Sequence, residues 1–380
     1  MFRKVLITAL TLGTAWAVRG QFGHEQGAAW AGGIACLVIL VMARREDWYS
    51  NLFGITLAGS IGWGLGGMMS YGLLVGNGHK PDTSLAIYSN AMLGVVGALY
   101  GFLGGGLFGL ALSHSKKSPV RWILLSLSML IGGILCYALL ISFLGWRMTP
   151  PRSEAWAASL GIALVLAGYI LRSNNKAAFR VACFTALGAG FGFAFGNILH
   201  RYGIQSGFPF NFWNVMEYSL GFFGGIGLAY GTFTSRWDDS STVKSNPNSK
   251  RQFAAFLFLS FLIPLKVWTS SFGIEKMKAS LKISDIDFYA PLFHYLTIAV
   301  VLLFSFSWGR HLFFKRKTEP LNFTHRNAYP FFSAYFLFYI FLSLIVTGSF
   351  FSTERIEQYL YPLNFVVILI LLGRKKSTSS

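Results

Sequence analysis

From Trp122 to Gly145 the chain reads WILLSLSMLIGGILCYALLISFLG, a stretch of 24 residues without a charged side chain. A helix needs about 20 mostly apolar residues to cross roughly 30 Å of hydrocarbon, so this stretch reads as a membrane span. Eleven further runs qualify or nearly do: 4–18, 27–43, 52–75, 87–112, 155–171, 178–199, 213–233, 253–270, 290–308, 329–350 and 358–373. The expected fold is therefore an all-α polytopic membrane protein of about twelve spans.

Composition agrees. Of the 380 residues, 54% are hydrophobic and 12% charged, whereas soluble domains carry about 25% charged residues. The net charge of +18 raises a nucleic-acid reading, which the placement of the bases removes because they lie between the apolar runs. With the amino terminus cytoplasmic, 22 of the 32 Lys and Arg fall on that side, and every segment there carries at least two. The positive-inside rule then predicts both termini in the cytoplasm of a multi-pass, bacterial-type inner membrane. A soluble enzyme, a disordered chain and a nucleic-acid partner are excluded; the partners expected are the bilayer, a small solute and, on one reading, further subunits. Arg3 and Lys4 followed by Val5–Val18 and Ala15-Trp16-Ala17 also fit a signal peptide. Cys36, Cys136 and Cys183 each sit within an apolar run, so neither a disulfide framework nor a thiolate metal site is expected.

Two glycine-rich stretches resemble one another: GSIGWGLGGMMSYG at 59–72 and GFGFAFGNILHRYG at 190–203. Each is followed about 20 residues later by a second such span, LGVVGALYG and LGFFGGIGLAYG. The pattern predicts two parallel four-helix repeats, 1–112 and 120–234, related by an axis along the membrane normal. A cytoplasmic linker, 235–252, and a C-terminal four-helix block with a basic tail, 253–380, complete the expected organisation. Small residues every four positions (Ala58, Gly62, Gly66; Gly97, Gly101, Gly105; Gly188, Gly192, Gly196; Gly221, Gly225) leave bare helix faces. These serve close backbone approach or, on a sharper reading, line a solute path.

Charges within spans are costly and mark function when they face a cavity. The candidate substrate-binding residues are Arg19, His24, Glu25, Gln26, His200, Arg201, Tyr202 and Glu217, expected to converge on one extracytoplasmic cavity between the repeats. Arg19, His200 and Arg201 close outward-going spans; Glu25 and Glu217 open or enter inward-going ones. Glu154 reads as a replaceable helix-start charge. The segment HEQGA lacks the second His of a zinc helix motif, and no phosphate-binding loop occurs, so neither metal nor nucleotide cofactor is expected. Three functions are compatible with this pattern. The first is a permease for a small polar or anionic solute. The second is a membrane-embedded transferase acting on a lipid-linked substrate at the outer face, with His24 as base, although adjacent helical residues point about 100° apart and His24 and Glu25 make a poor dyad. The third is a scaffold subunit of a membrane complex.

Overall fold

The computed structural model describes residues 1–115, 119–237, 249–281, 283–314 and 323–373, and among these every regular element is helical. The basic clusters around Lys116, Lys244 and Lys315, most of the linker and the tail from Arg374 lie outside the described residues. The helices are α1 (Phe2–Arg19), α2 (His24–Ala43), α3 (Glu46–Tyr49), α4 (Leu52–Gly66), α5 (Gly72–Gly78), α6 (Thr83–Ser113), α7 (Trp122–Phe143), α8 (Ala155–Arg172), α9 (Lys176–Gln205), α10 (Phe212–Thr234), α11 (Ser249–Ser271), α12 (Ile274–Ser280), α13 (Ile286–Phe314), α14 (His325–Val346) and α15 (Glu357–Gly373). Eight of them (α2, α6, α7, α8, α9, α11, α13 and α14) are long and apolar enough to cross a membrane, which supports a multi-pass membrane protein. Each of the twelve apolar runs is helical, but the third is shorter than its hydropathy implied. It ends at Gly66, and Gly67–Tyr71 forms a break before α5.

Glycine decides which helices touch. A side chain at Gly97 or Gly101 of α6 would run into the carbonyl oxygens of Ala189 and Thr185 on α9. Gly188 and Gly192 of α9 meet Phe223 and Ser219 of α10 in the same way, and Gly221 and Gly225 of α10 meet Leu12 and Thr8 of α1. The bare faces are thus filled by neighbouring backbone, which is the close-packing role of such stripes in membranes.

The two expected repeats keep a local likeness. Gly62 packs α4 onto α6 as Gly192 packs α9 onto α10. Beyond these hairpins the likeness fails: α6 lies along α9 and α1 along α10, while α4 makes no comparable packing with α10, nor α6 with α7. Only 39% of the most apolar part of α8 is buried, against 78% for its counterpart α2 by position, which packs in a hairpin with α1. The two-fold expectation is therefore corrected: the shared glycines record how adjacent helices approach, not where the first two helices of each block are placed. The tripeptide that fits a cleavage site is built into the α1–α2 hairpin, with Tyr339 donating to the Ala15 carbonyl and Asn214 to that of Ala17.

Helix α11 contains Pro264, which has no N–H to give the carbonyl of Ser260 four residues back. A π-helical turn at Phe258–Leu262 absorbs the misfit. The Ser260 carbonyl accepts instead from Ser305 of α13, and the neighbouring Leu259 carbonyl from Tyr335 of α14. Side chains on two other helices thus hold the C-terminal block together where its own ladder is broken.

Candidate functional site

Glu217 and the small residues Gly221 and Gly225 are spaced four apart, so all three lie on one face of α10. Because the glycines let that face settle on α1, running antiparallel to it, Glu217 arrives opposite the last turn of α1. There its Oε2 accepts from Nη2 of Arg19 at 2.7 Å. The same Nη2 donates to the hydroxyl of Tyr71 at 2.6 Å, and that hydroxyl donates to Glu217 Oε1 at 2.7 Å, closing a ring of three groups. Arg19 is 1% exposed, Glu217 2% and Tyr71 3%.

Local sequence explains the remaining geometry. Gly27 lets α2 pass directly over Arg19, where a Cβ would lie 2.8 Å from both the Arg19 Cγ and its carbonyl oxygen. The guanidinium stacks on Trp16, Cζ to centroid 4.9 Å, and Trp16 meets Trp63 at 4.9 Å and Tyr100 at 5.2 Å. Among the described residues, Arg19 Nε, the indole nitrogens of Trp16 and Trp63 and the Tyr100 hydroxyl are buried without a hydrogen-bond partner. All three N–H groups donate and cannot accept, so what would satisfy them is an acceptor. Such unmet donors in a low-dielectric site cost about 1–3 kcal/mol each.

The other candidates divide. His24 is exposed and lies beside the triad, its ring 5.5 Å from that of Tyr71. Glu25 is exposed, Gln26 ties α2 to α11 through Ser270, and Tyr202 is 64% exposed, so none of these three joins the buried pair. His200 and Arg201 belong to a second cluster on α9. The rings of His200 and His79 are 4.6 Å apart, His79 Nε2 lies 3.1 Å from Asn197 Oδ1, and Asn197 donates to Asn90. Arg201 donates to the Gly78 carbonyl at the end of α5. Trp213 connects the clusters, with its ring 6.4 Å from Tyr71 and 5.4 Å from His200. The single shared cavity of the sequence reading is thus replaced by a buried triad and a separate His-Asn-Arg cluster. Among the described residues no three His, Cys, Asp or Glu side chains are grouped to hold a metal ion.

Sequence reasoning left Tyr71 out of the site, and His79, Asn90, Asn197 and Trp213 out of the second cluster and its link to the first. The signal for Tyr71 was present: both glycine-rich stretches end in Tyr-Gly, Tyr71-Gly72 and Tyr202-Gly203. The tyrosine that enters the site is the one in the break after α4, where the chain can turn inward.

Glu154 is also corrected. It is 6% exposed, and its carboxylate accepts from the Met148 and Thr149 amides, the Thr149 hydroxyl and the Trp156 indole, the last at 2.7 Å. It organises the loop between α7 and α8. Glu154→Ala should strand these donors and cost about 1–3 kcal/mol, read as a lowered Tm of the detergent-purified protein. An unchanged Tm would restore the replaceable-charge reading.

No protein-family model, curated protein or solved structure matches this chain.

Proposed function

We propose that the chain is a membrane permease for a small anionic or polar solute, with Arg19, Tyr71 and Glu217 as the binding centre. The observation that carries this reading is a fully buried ion pair in which Arg19 Nε, and the indole N–H of the Trp16 ring stacked on it, have no hydrogen-bond partner among the described residues. A pair serving stability alone gains little over well-packed apolar side chains, because desolvation offsets the Coulomb attraction. On this reading the solute's carboxylate or phosphate takes Arg19 from Glu217, and its oxygens also meet the unspent N–H groups. Glu217, released into a low-dielectric site, then takes up a proton to remain buried, so one proton is linked to one anion. Tyr71, donor to Glu217 and acceptor from Arg19, keeps its proton and turns that hydrogen bond from the carboxylate to the solute, while exposed His24 beside it is the group through which protons arrive.

The proposed topology has twelve crossings, adding α1, α4, α10 and α15 to the eight apolar helices. Both termini are cytoplasmic on the base distribution, and the triad lies toward the extracytoplasmic side.

The test is uptake into proteoliposomes of labelled phosphate, acetate, lactate, succinate and glutamate, with and without an inward proton gradient. At least one anion should accumulate faster with external acid, and Tyr71→Phe, which cannot donate to Glu217, should slow it about tenfold or more, a loss of ~1.4 kcal/mol. The proposal fails if no anion of the panel moves, or if Tyr71→Phe transports at the wild-type rate.

A further inference from the structure

The second cluster, where α5 ends against α9, has no part in the proposed transport step. His79 closes α5, and its ring lies 4.6 Å from that of His200 at an angle of 67°. Gly78 allows this approach, because a Cβ there would strike the Asn197 amide. Helix α5 is short, so Tyr71 of the triad caps one end and His79 the other.

A chain of amides fixes the proton on His79. The NH₂ of Asn90 donates to the Ala86 carbonyl, so its Oδ1 faces Asn197. That oxygen can only accept, which puts the Asn197 NH₂ against it and turns the Asn197 Oδ1 to His79, 3.1 Å from Nε2. His79 Nε2 therefore carries the hydrogen, and Nδ1 is left with a lone pair. His200 is 6% exposed, and its Nδ1 has no hydrogen-bond partner among the described residues. Buried nitrogens of this kind are rarely left unmet. An imidazole whose one N–H is held by an oxygen while its other nitrogen is free is the arrangement that metal-binding histidines adopt.

We propose that His79 and His200 together bind one divalent transition-metal ion of the zinc or copper type, with water completing its coordination. Imidazole nitrogens suit these ions, whereas Mg²⁺ and Ca²⁺ select oxygen. Two rings on one ion, with bonds of about 2.0–2.1 Å, have centroids roughly 5 Å apart, so the observed pair needs little movement. Asn197 then orients His79 without being a ligand. Arg201, next along α9, leaves the helix about 100° from His200 and is engaged with the Gly78 carbonyl. The site does not depend on the permease reading; its ion would fasten the end of α5 to α9. The structural rival is ring packing alone, since His79, His200 and Trp213 meet edge to face. Packing needs no ring nitrogen, and Phe would serve as well.

The experiment is thermal unfolding of the full-length, tag-free protein in detergent, titrated with Zn²⁺ against Mg²⁺, for wild type, His79→Phe, His200→Phe and Asn197→Leu. Zn²⁺ should raise the wild-type Tm saturably, and Mg²⁺ should not. Either Phe variant, which keeps a ring but no nitrogen, should lose the response, and Asn197→Leu should weaken the apparent Kd about tenfold. The folding of each variant is read from its Tm without metal. Should the Phe variants fail to fold, Cu²⁺ at one equivalent on the wild-type protein decides, because its electron paramagnetic resonance spectrum should show coupling to two imidazole nitrogens. The proposal is overturned if Zn²⁺ leaves the wild-type Tm unchanged, if either folded Phe variant responds as wild type does, or if bound Cu²⁺ shows no nitrogen coupling.

Discussion

Glu217→Ala, made alone, should be among the most destabilising single substitutions in this protein. It leaves the Arg19 guanidinium 1% exposed with its counter-ion gone and the Tyr71 hydroxyl without its acceptor. Breaking a buried pair in this way costs about 3–5 kcal/mol, because the remaining charge is desolvated and uncompensated. Replacing both partners by apolar side chains, Arg19→Met with Glu217→Leu, should recover most of that loss, since no charge is then buried. The readout is a double-mutant cycle on unfolding in mixed detergent micelles, in which the single variants fall well below wild type and the double variant returns close to it. If Glu217→Ala alone is as stable as wild type, the pair is hydrated and the buried geometry is wrong.

The second large effect lies in the glycine faces. A Cβ at Gly227 would land on the carbonyl oxygen of Phe184, and one at Gly101 on that of Thr185. Backbone oxygens inside packed helices have no flexible end to swing away, so the helices must separate. Overpacking of this kind costs about 1–3 kcal/mol, occasionally more. Displacing α10 from α9 also shifts Glu217 relative to Arg19, so Gly227→Val should reduce folded yield and uptake together. Gly168 of α8 has nothing within 4 Å of its would-be Cβ. There, Gly168→Ala should be neutral or stabilising by up to ~1 kcal/mol through helix propensity. Size-exclusion yield and Tm of the two variants check the contrast, and equal behaviour would mean that the close approach does not govern packing.

These two predictions mark how far the sequence could be read. The helices were legible because continuous apolar runs such as 122–145 have few alternatives in a chain this poor in charge. The Arg19–Glu217 partnership was legible in part, since Glu217 shares a face with Gly221 and Gly225 and Arg19 ends a span. Tyr71 was not, because Met68-Met69-Ser70 is apolar enough to hide the break after Gly66 within an unbroken hydropathy run. Glu154 was misread for another reason: a carboxylate before a helix has a generic role, and only the fold shows four donors converging on it. The repeat was over-read, because glycine spacing encodes pairwise approach and is silent on the global placement of helix pairs. In the C-terminal block, Ser305, Tyr335 and Tyr339 carry polar contacts that fasten it to itself and to α1, and nothing in the apolar run of the sequence singles them out.

Whether the triad binds a solute or only holds helices together is decided by uptake measured with the Arg19→Met, Glu217→Leu double variant, the one change that removes the charges without leaving either unpaired. The proteoliposome assay is run with the anion that the wild-type protein moves best, alongside the Tm of both preparations. The account predicts a double variant with near-wild-type Tm and uptake no greater than protein-free liposomes; wild-type uptake by that folded, uncharged variant would contradict it.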